Sequence, residues 1–282
     1  MSALLYRRLF DDAALFPPGN APLGQALPDH RAHRAGPRDE HVGPFLVSDA
    51  RVAELRALLS REEDAHGPLE TVVTVPGGAP GVPTALAAAD DPRLRLAGVE
   101  VAAAPGGVGE VAGALERHLP PGASAYVELS REGEVDADLA ELAGSGFHAK
   151  FRTGGVSAAA HPGEEELARF LHAAVGAAVA FKCTAGLHHA VRHTSAEGFE
   201  QHGFLNVLLA TAALLDGATA GEAAEVLARR EGHALAREAA RLGDTGSERL
   251  RTAFHSFGTC SVTEPLEDLV VLGLLPAPAT RP

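Results

Sequence analysis

The chain has 282 residues, 46% of them hydrophobic, enough to bury a large core within one domain. Its formal net charge of −13 and the absence of any basic run exclude the electrostatic footprint of a nucleic-acid binder or an anionic-membrane binder. No apolar run reaches the roughly 18 residues that cross a bilayer, the opening MSALLYRRLFDD is charged where a signal peptide needs its apolar stretch, and two cysteines are too few for a disulfide framework; a cytoplasmic protein with free thiols is expected.

A first strand lies within residues 6–16 (YRRLFDDAALF), stopped by Pro17, Pro18 and Gly19, with Asp11 and Asp12 near its exit. Residues 22–35 suit a helix that Pro28 should break or kink. A short strand at 43–47 (GPFLV) follows, and Ser48 or Asp49 can cap a helix with Val52, Leu55, Leu58 and Leu59 on one face. The beat repeats with a strand at 69–75 (LETVVTV), a helix at 83–89, a strand at 94–103 bearing Glu100, a helix at 109–118, a strand at 123–129 bearing Glu128 and a helix at 136–143. Two sister strands come next: 147–155 (FHAKFRTGG) and 180–189 (AFKCTAGLHH) each run into a glycine turn, with the helix 164–175 between them.

After the seventh strand the alternation lapses. Residues 203–215 form a strongly apolar helix, Thr219 and Glu222 make a capping box for another, and a third helical stretch runs to about Leu242. An eighth strand at 250–257 (LRTAFHSF), a loop and a helix at 266–275 close the chain. Alternating strands and helices imply parallel pairing with right-handed crossovers. Eight such units predict an α/β fold of the (β/α)8 TIM barrel kind, one domain over 1–282, with a helical insertion at about 203–245 between strands seven and eight. The competing open sheet would prefer a glycine-rich dinucleotide loop after its first strand, and FDDAALFPPGN is not one.

The sequence holds 24 Lys plus Arg but only two lysines, Lys150 and Lys182, at matching positions of the sister strands. Lysine, unlike arginine, can lose its proton. Strand alternation puts Lys150 with Arg152, and Lys182 with Thr184, on one face. If both lysines point inward, each ammonium should depress the other's pKa and make an amine nucleophilic. The same parity turns Cys183 away as a buried thiol. Thr153, Gly154 and Gly155, with Thr184 and Gly186, can present N–H groups to a phosphate or carboxylate that Arg152 clamps, or simply make turns. His188 and His189 face opposite ways on extended backbone, so one can serve as acid or base. Asp11 and Asp12 can orient a lysine or bind a hydroxyl, and Ser256 is a further anion-binding candidate.

The lysine strands FHAKFRTGG and AFKCTAGLHH resemble those of the class I aldolases, most closely deoxyribose-phosphate aldolase, and Val99-Glu100-Val101 and YVELS at 126–130 are similar to that family's fourth and fifth strands. The resemblance implies Lys150 as the Schiff-base residue, Lys182 as its tuning partner, and Glu100 as a proton relay; the residues themselves add Glu128, His188 and Asp12 to the catalytic candidates. Arg152 and the two histidines depart from the family pattern. The expected function is a lyase acting on a small anionic carbonyl compound, with no cofactor and a possible homo-oligomeric assembly. One alternative is a metal-dependent lyase or hydrolase using Asp11 or Asp12, Glu100 and His188 or His189. Another is a silent barrel that binds an anionic metabolite or partner, its apolar helix FLNVLLATAALL either burying against a second subunit or, as the simpler expectation, packing on the barrel.

Overall fold

The computed structural model describes residues 4–62 and 66–277. The first three residues of the stretch read for a leader lie outside the described residues. In chain order the elements are β1 (Phe10–Asp12), α1 (Leu23–Ala35), β2 (Val42–Ser48), α2 (Val52–Leu59), β3 (Leu69–Val75), α3 (Val82–Ala89), β4 (Leu94–Ala102), α4 (Val108–His118), β5 (Ser124–Glu128), α5 (Val135–Leu142), β6 (His148–Arg152), α6 (Glu164–Gly176) and β7 (Phe181–Thr184). There follow a two-stranded hairpin, β8 (His193–Thr194) and β9 (Glu200–Gln201), then α7 (Phe204–Leu215), α8 (Ala220–Ala228), α9 (Gly232–Arg241), α10 (Gly243–Ala253), β10 (Phe254–Thr259) and α11 (Thr263–Val271). The strands β1 to β7 and β10 pair in parallel and close into one eight-stranded barrel. This is the (β/α)8 TIM barrel, with extra helices and a hairpin between its seventh and last strands.

The main core lies outside the barrel, between strands and helices. Outward-facing Phe45, Val73, Val99, Val127, Phe151, Phe181 and Phe257 all belong to it. Phe170 of α6 stacks on Phe151 of β6 at 4.3 Å between ring centroids and meets Phe181 of β7 edge-on, while Phe204 of α7 packs on Phe10 of β1 and Phe257 of β10. Inside the barrel the apolar cluster is small: Ala13, Leu46 and Val72, with Phe16 and Ala97 against them.

Two elements differ from the sequence expectation. Helix α1 continues through Pro28, which sits on the exposed face where water can replace the missing backbone bond. The expected eighth strand begins four residues late, because Ser247 and Leu250 are buried at helical spacing and carry α10 to Ala253; β10 then continues past Phe257, pairing Gly258 with Thr184 of β7. Helix α7 is apolar all round because its own chain covers it. It packs against α6, α8, α9 and α10, and all of its residues except Ala213 and Leu215 are buried, which is the packing expected as the simpler use of its apolar surface.

A polar side chain that ties this insertion together is Asn206, fully buried in α7. Its amide donates to the carbonyls of Val226 (3.0 Å) and Arg229 (2.8 Å), satisfying the C-terminal end of α8, and its carbonyl accepts from the Arg192 backbone N–H (2.9 Å). Asn206→Ala takes the side-chain partner from the Arg229 carbonyl and the Arg192 N–H, while the Val226 carbonyl keeps the Arg229 N–H. The substitution is expected to lower the unfolding free energy by about 2–3 kcal/mol in urea denaturation, whereas Thr219→Ala, which removes the observed capping box at the start of α8, should cost only about 1 kcal/mol.

Candidate functional site

Strand pairing decides which side chains meet inside the barrel. Lys150 lies beside Lys182 across β6 and β7, and Glu128 lies beside Lys150 across β5 and β6. Glu100 reaches across from β4. Lys182 Nζ donates to Asp11 Oδ2 and to Glu100 Oε1, each at 2.5 Å. The other Glu100 oxygen is 2.5 Å from Lys150 Nζ, which also pairs with Glu128 Oε2 at 2.8 Å. Glu128 Oε1 accepts from Arg152 Nε at 3.0 Å, and Ser256 Oγ donates to Asp11 Oδ2 at 2.6 Å. The result is one continuous chain, Ser256, Asp11, Lys182, Glu100, Lys150, Glu128, Arg152, in which three carboxylates alternate with three cations. Gly43 is what leaves room for it: a Cβ there would lie 2.0 Å from Asp11 Oδ1.

This arrangement corrects the expectation that the two ammonium groups depress one another. Glu100 stands between them. Burial opposes the charge on Lys182, but Asp11 and Glu100 outweigh it and raise its pKa above the ordinary lysine value. Burial likewise works against ionised Glu100, yet Lys150 and Lys182 hold its carboxyl at about 2. Glu128 is lowered in the same way, by Lys150 and Arg152 against burial. Asp11 goes the other way, burial raising it despite Lys182 and Ser256. Tyr126, whose ring lies 5.1 Å from Lys182 Nζ, is pushed up to about 12 by burial and keeps its proton.

A cavity of about 470 Å³ opens at the C-terminal rim, where barrel enzymes carry their sites. Lys150, Glu100, Glu128 and Arg152 form its polar floor, and Phe16, Pro17, Leu46, Val75, Pro76 and Val156 supply apolar wall. Lys182 is not part of this lining; at 1% exposure it faces instead a second cavity at the opposite end of the barrel.

The remaining sequence candidates divide. Gly155, Thr184 and His188 line the rim cavity. Thr153, Gly154 and Gly186 join two loops: Thr153 Oγ1 donates to the Ala185 carbonyl at 2.5 Å, and a Cβ on Gly154 would lie 2.6 Å from Gly186 Cα. Gly186 has φ +75°, and its own Cβ would lie 2.7 Å from the Thr153 carbonyl, so both glycines serve the close approach of the β6 and β7 turns. Asp12 turns away from the interior, 2.9 Å from His30 Nδ1 of α1 and accepting from the Ala14 N–H. Adjacent His188 and His189 face apart. His188 Nδ1 is 3.4 Å from Glu264 Oε2 and 3.6 Å from Cys260 Sγ, with its pKa lowered by burial against the pull of Glu264. His189 binds Asp268 at 3.2 Å, which raises it. Cys183 is buried on the outer face of β7.

Sequence reading missed Cys260 and Glu264, which meet His188 at the rim; the only signal was their position just after the last strand. Among the described residues no group of three or more His, Cys, Asp or Glu side chains is arranged to hold a metal ion. The carboxylates of the metal-dependent alternative are engaged by Lys182, His30 and Lys150, and its histidines diverge. No protein-family model matches the chain, and no curated protein sequence is similar to it. The closed parallel barrel is consistent with the aldolase superfamily in general and with many other enzymes of small metabolites.

The pKa shifts predict how the network responds to pH. Glu100, held at about 2, contributes stability that is complete above the roughly 4.3 of an unfolded glutamate and lost as pH falls through its folded value. Lys182, raised, contributes stability complete below the roughly 10.4 of an unfolded lysine and lost only at higher pH. Lys182→Met leaves Asp11 and Glu100 buried without that cation. We expect a loss of about 3–5 kcal/mol at neutral pH. In guanidinium denaturation the loss should shrink as pH falls toward about 4, where the stranded carboxylates take up protons.

Proposed function

We propose that the protein is a Schiff-base lyase, with Lys150 as the amine that condenses with a small carbonyl compound. The observation that carries this reading is the position of Lys150 Nζ on the floor of the rim cavity between two carboxylates, Glu100 and Glu128. Lys182, fully buried and held by Asp11 and Glu100, suits a fixed cation that orients Glu100.

In this reaction Glu128 accepts a proton from the Lys150 ammonium, and the freed nitrogen attacks the substrate carbonyl carbon. The carbonyl oxygen takes up two protons, one from the attacking nitrogen and one back from Glu128, and leaves as water, giving an iminium. The iminium withdraws the electron pair of the Cα–Cβ bond while a carboxylate takes the proton of the β-hydroxyl, so that one product departs as a carbonyl compound; the enamine regains that proton at Cα, and water then adds to the iminium and releases the second product from the lysine. Deprotonation of the ammonium is aided when substrate displaces water from the apolar cavity. His188, kept neutral at physiological pH by burial, is suited to pass a proton at the rim.

The floor of the cavity is charge-balanced, two cations against two carboxylates, and much of the wall is apolar. This supports a substrate with an apolar portion and at most one carboxylate, met by the Arg152 N–H groups that Glu128 leaves free. A phosphorylated substrate has less to hold it, since Thr153, Gly154 and Gly186 are spent on the loop contact.

Borohydride reduction in the presence of a panel of aldehydes and 2-oxo acids, followed by peptide mass mapping, tests the proposal. The adduct is expected on the peptide containing Lys150, absent in Lys150→Ala, and formed roughly 100-fold more slowly in Glu128→Gln. Turnover that survives Lys150→Ala sinks the reading.

A further inference from the structure

The second cavity, about 300 Å³, lies at the N-terminal mouth of the barrel, opposite the rim. Its lining is polar where such an interior is ordinarily filled by branched apolar residues: Arg8, Glu70, Ser124, Tyr126, Arg251 and His255 face it, with Asp11 and Lys182 at its inner end.

The charge there is not balanced. The Lys182 end is neutralised within the alternating chain described above. At the mouth Glu70 pairs with both Arg8 and Arg95, two cations on one carboxylate. Among the described residues Arg251 has no carboxylate in contact; its guanidinium donates to the backbone carbonyls of Leu5, Arg7 and His255. Burial pulls Arg251 down to about 10, the sign of a desolvated cation that lacks a contacting anion. Local excess positive charge in a chain whose net charge is −13 does not follow from composition.

Donors are also in excess. Three acceptors engage the two terminal nitrogens of Arg251, leaving N–H groups of the planar fork over. Tyr126 Oη lies 3.0 Å from His255 Nδ1, and His255, lowered to about 4 by burial and by His148, also bonds the Thr252 backbone carbonyl, so its ring is spent within the protein and the spare donors are those of Arg251 and Arg8. The Ser124 hydroxyl lines the same space.

We propose that this mouth is a binding site for a phosphoryl-type oxyanion, either inorganic phosphate or the phosphate group of a small metabolite, held by Arg251, Arg8 and Ser124 and separate from the rim cavity. The inference does not depend on the Schiff-base reading. An anion here supplies the counter-charge that Arg251 lacks.

Isothermal titration of the full-length protein with inorganic phosphate, with glycerol phosphate and with phenyl phosphate, at constant ionic strength, tests the site. One binding event per chain is expected, weakened about tenfold or more in Arg8→Gln and in Arg251→Met, and unchanged in Lys150→Met. Tighter binding of an ester than of phosphate identifies a metabolite phosphate as the ligand; equal affinity identifies the free anion. Arg251→Met also removes the clamp on residues 5–7, so Arg8→Gln, whose side chain is partly exposed, is the variant that stands if the other fails to fold. No binding of any of the three at millimolar concentration, undiminished binding in Arg8→Gln, or binding lost in Lys150→Met would overturn the proposal.

Discussion

Three carboxylates and three cations share the inside of this barrel, and the rest of the structure is arranged so that they can. Removing charges from water costs several kcal/mol each, and such pairs rarely repay that cost as net stability. They persist here because each carboxylate has cations on both sides, or a cation and a hydroxyl, along the path from Ser256 to Arg152. The polar interior transfers the work of holding the fold to the layer between strands and helices. There the phenylalanines of β6, β7, β10, α6 and α7 interlock, and the insertion supplies α7 as a fully covered wall.

The same alternation gives the two lysines different lives. Lys182 has a raised pKa, negligible exposure and two short contacts to carboxylates, the properties of a permanent charge. Lys150 differs by position: its ammonium is at the boundary between the ion-pair chain and an open, largely apolar cavity. Glu100 touches both and so is the point at which the closed part of the network meets the accessible part.

Much of the fold was legible because alternating apolar strands and amphipathic helices leave a periodic trace, and turn residues punctuate it. The eighth strand was misjudged because LRTAF reads equally as strand or helix; the burial of Ser247 and Leu250, a tertiary fact, decides it. Parity put Lys150 with Arg152 on one face and Cys183 on the face opposite Lys182; that the lysine faces are the inward ones is set by the closed barrel. It did not reveal that Glu100 lies between the lysines, since that depends on a strand two places from β6 leaning across a closed barrel. Adjacent Asp11 and Asp12 must face opposite ways, but nothing local says which enters. Nor do glycines in two separate turns announce that they touch.

That last contact has a consequence for how the site can change. With Thr153 bonded to Ala185 and Gly154 against Gly186, the turns after β6 and β7 form a seam with no room for a side chain. The opposite side of the mouth, built by Phe16, Pro17, Leu46 and Pro76 from the β1 to β3 end of the barrel, has no such restriction. Reactivity and selectivity therefore sit on separate walls: one is fixed by backbone contact beside Lys150, while the other can be recut residue by residue, so that a lineage or a designer can alter what enters without disturbing the amine that meets it.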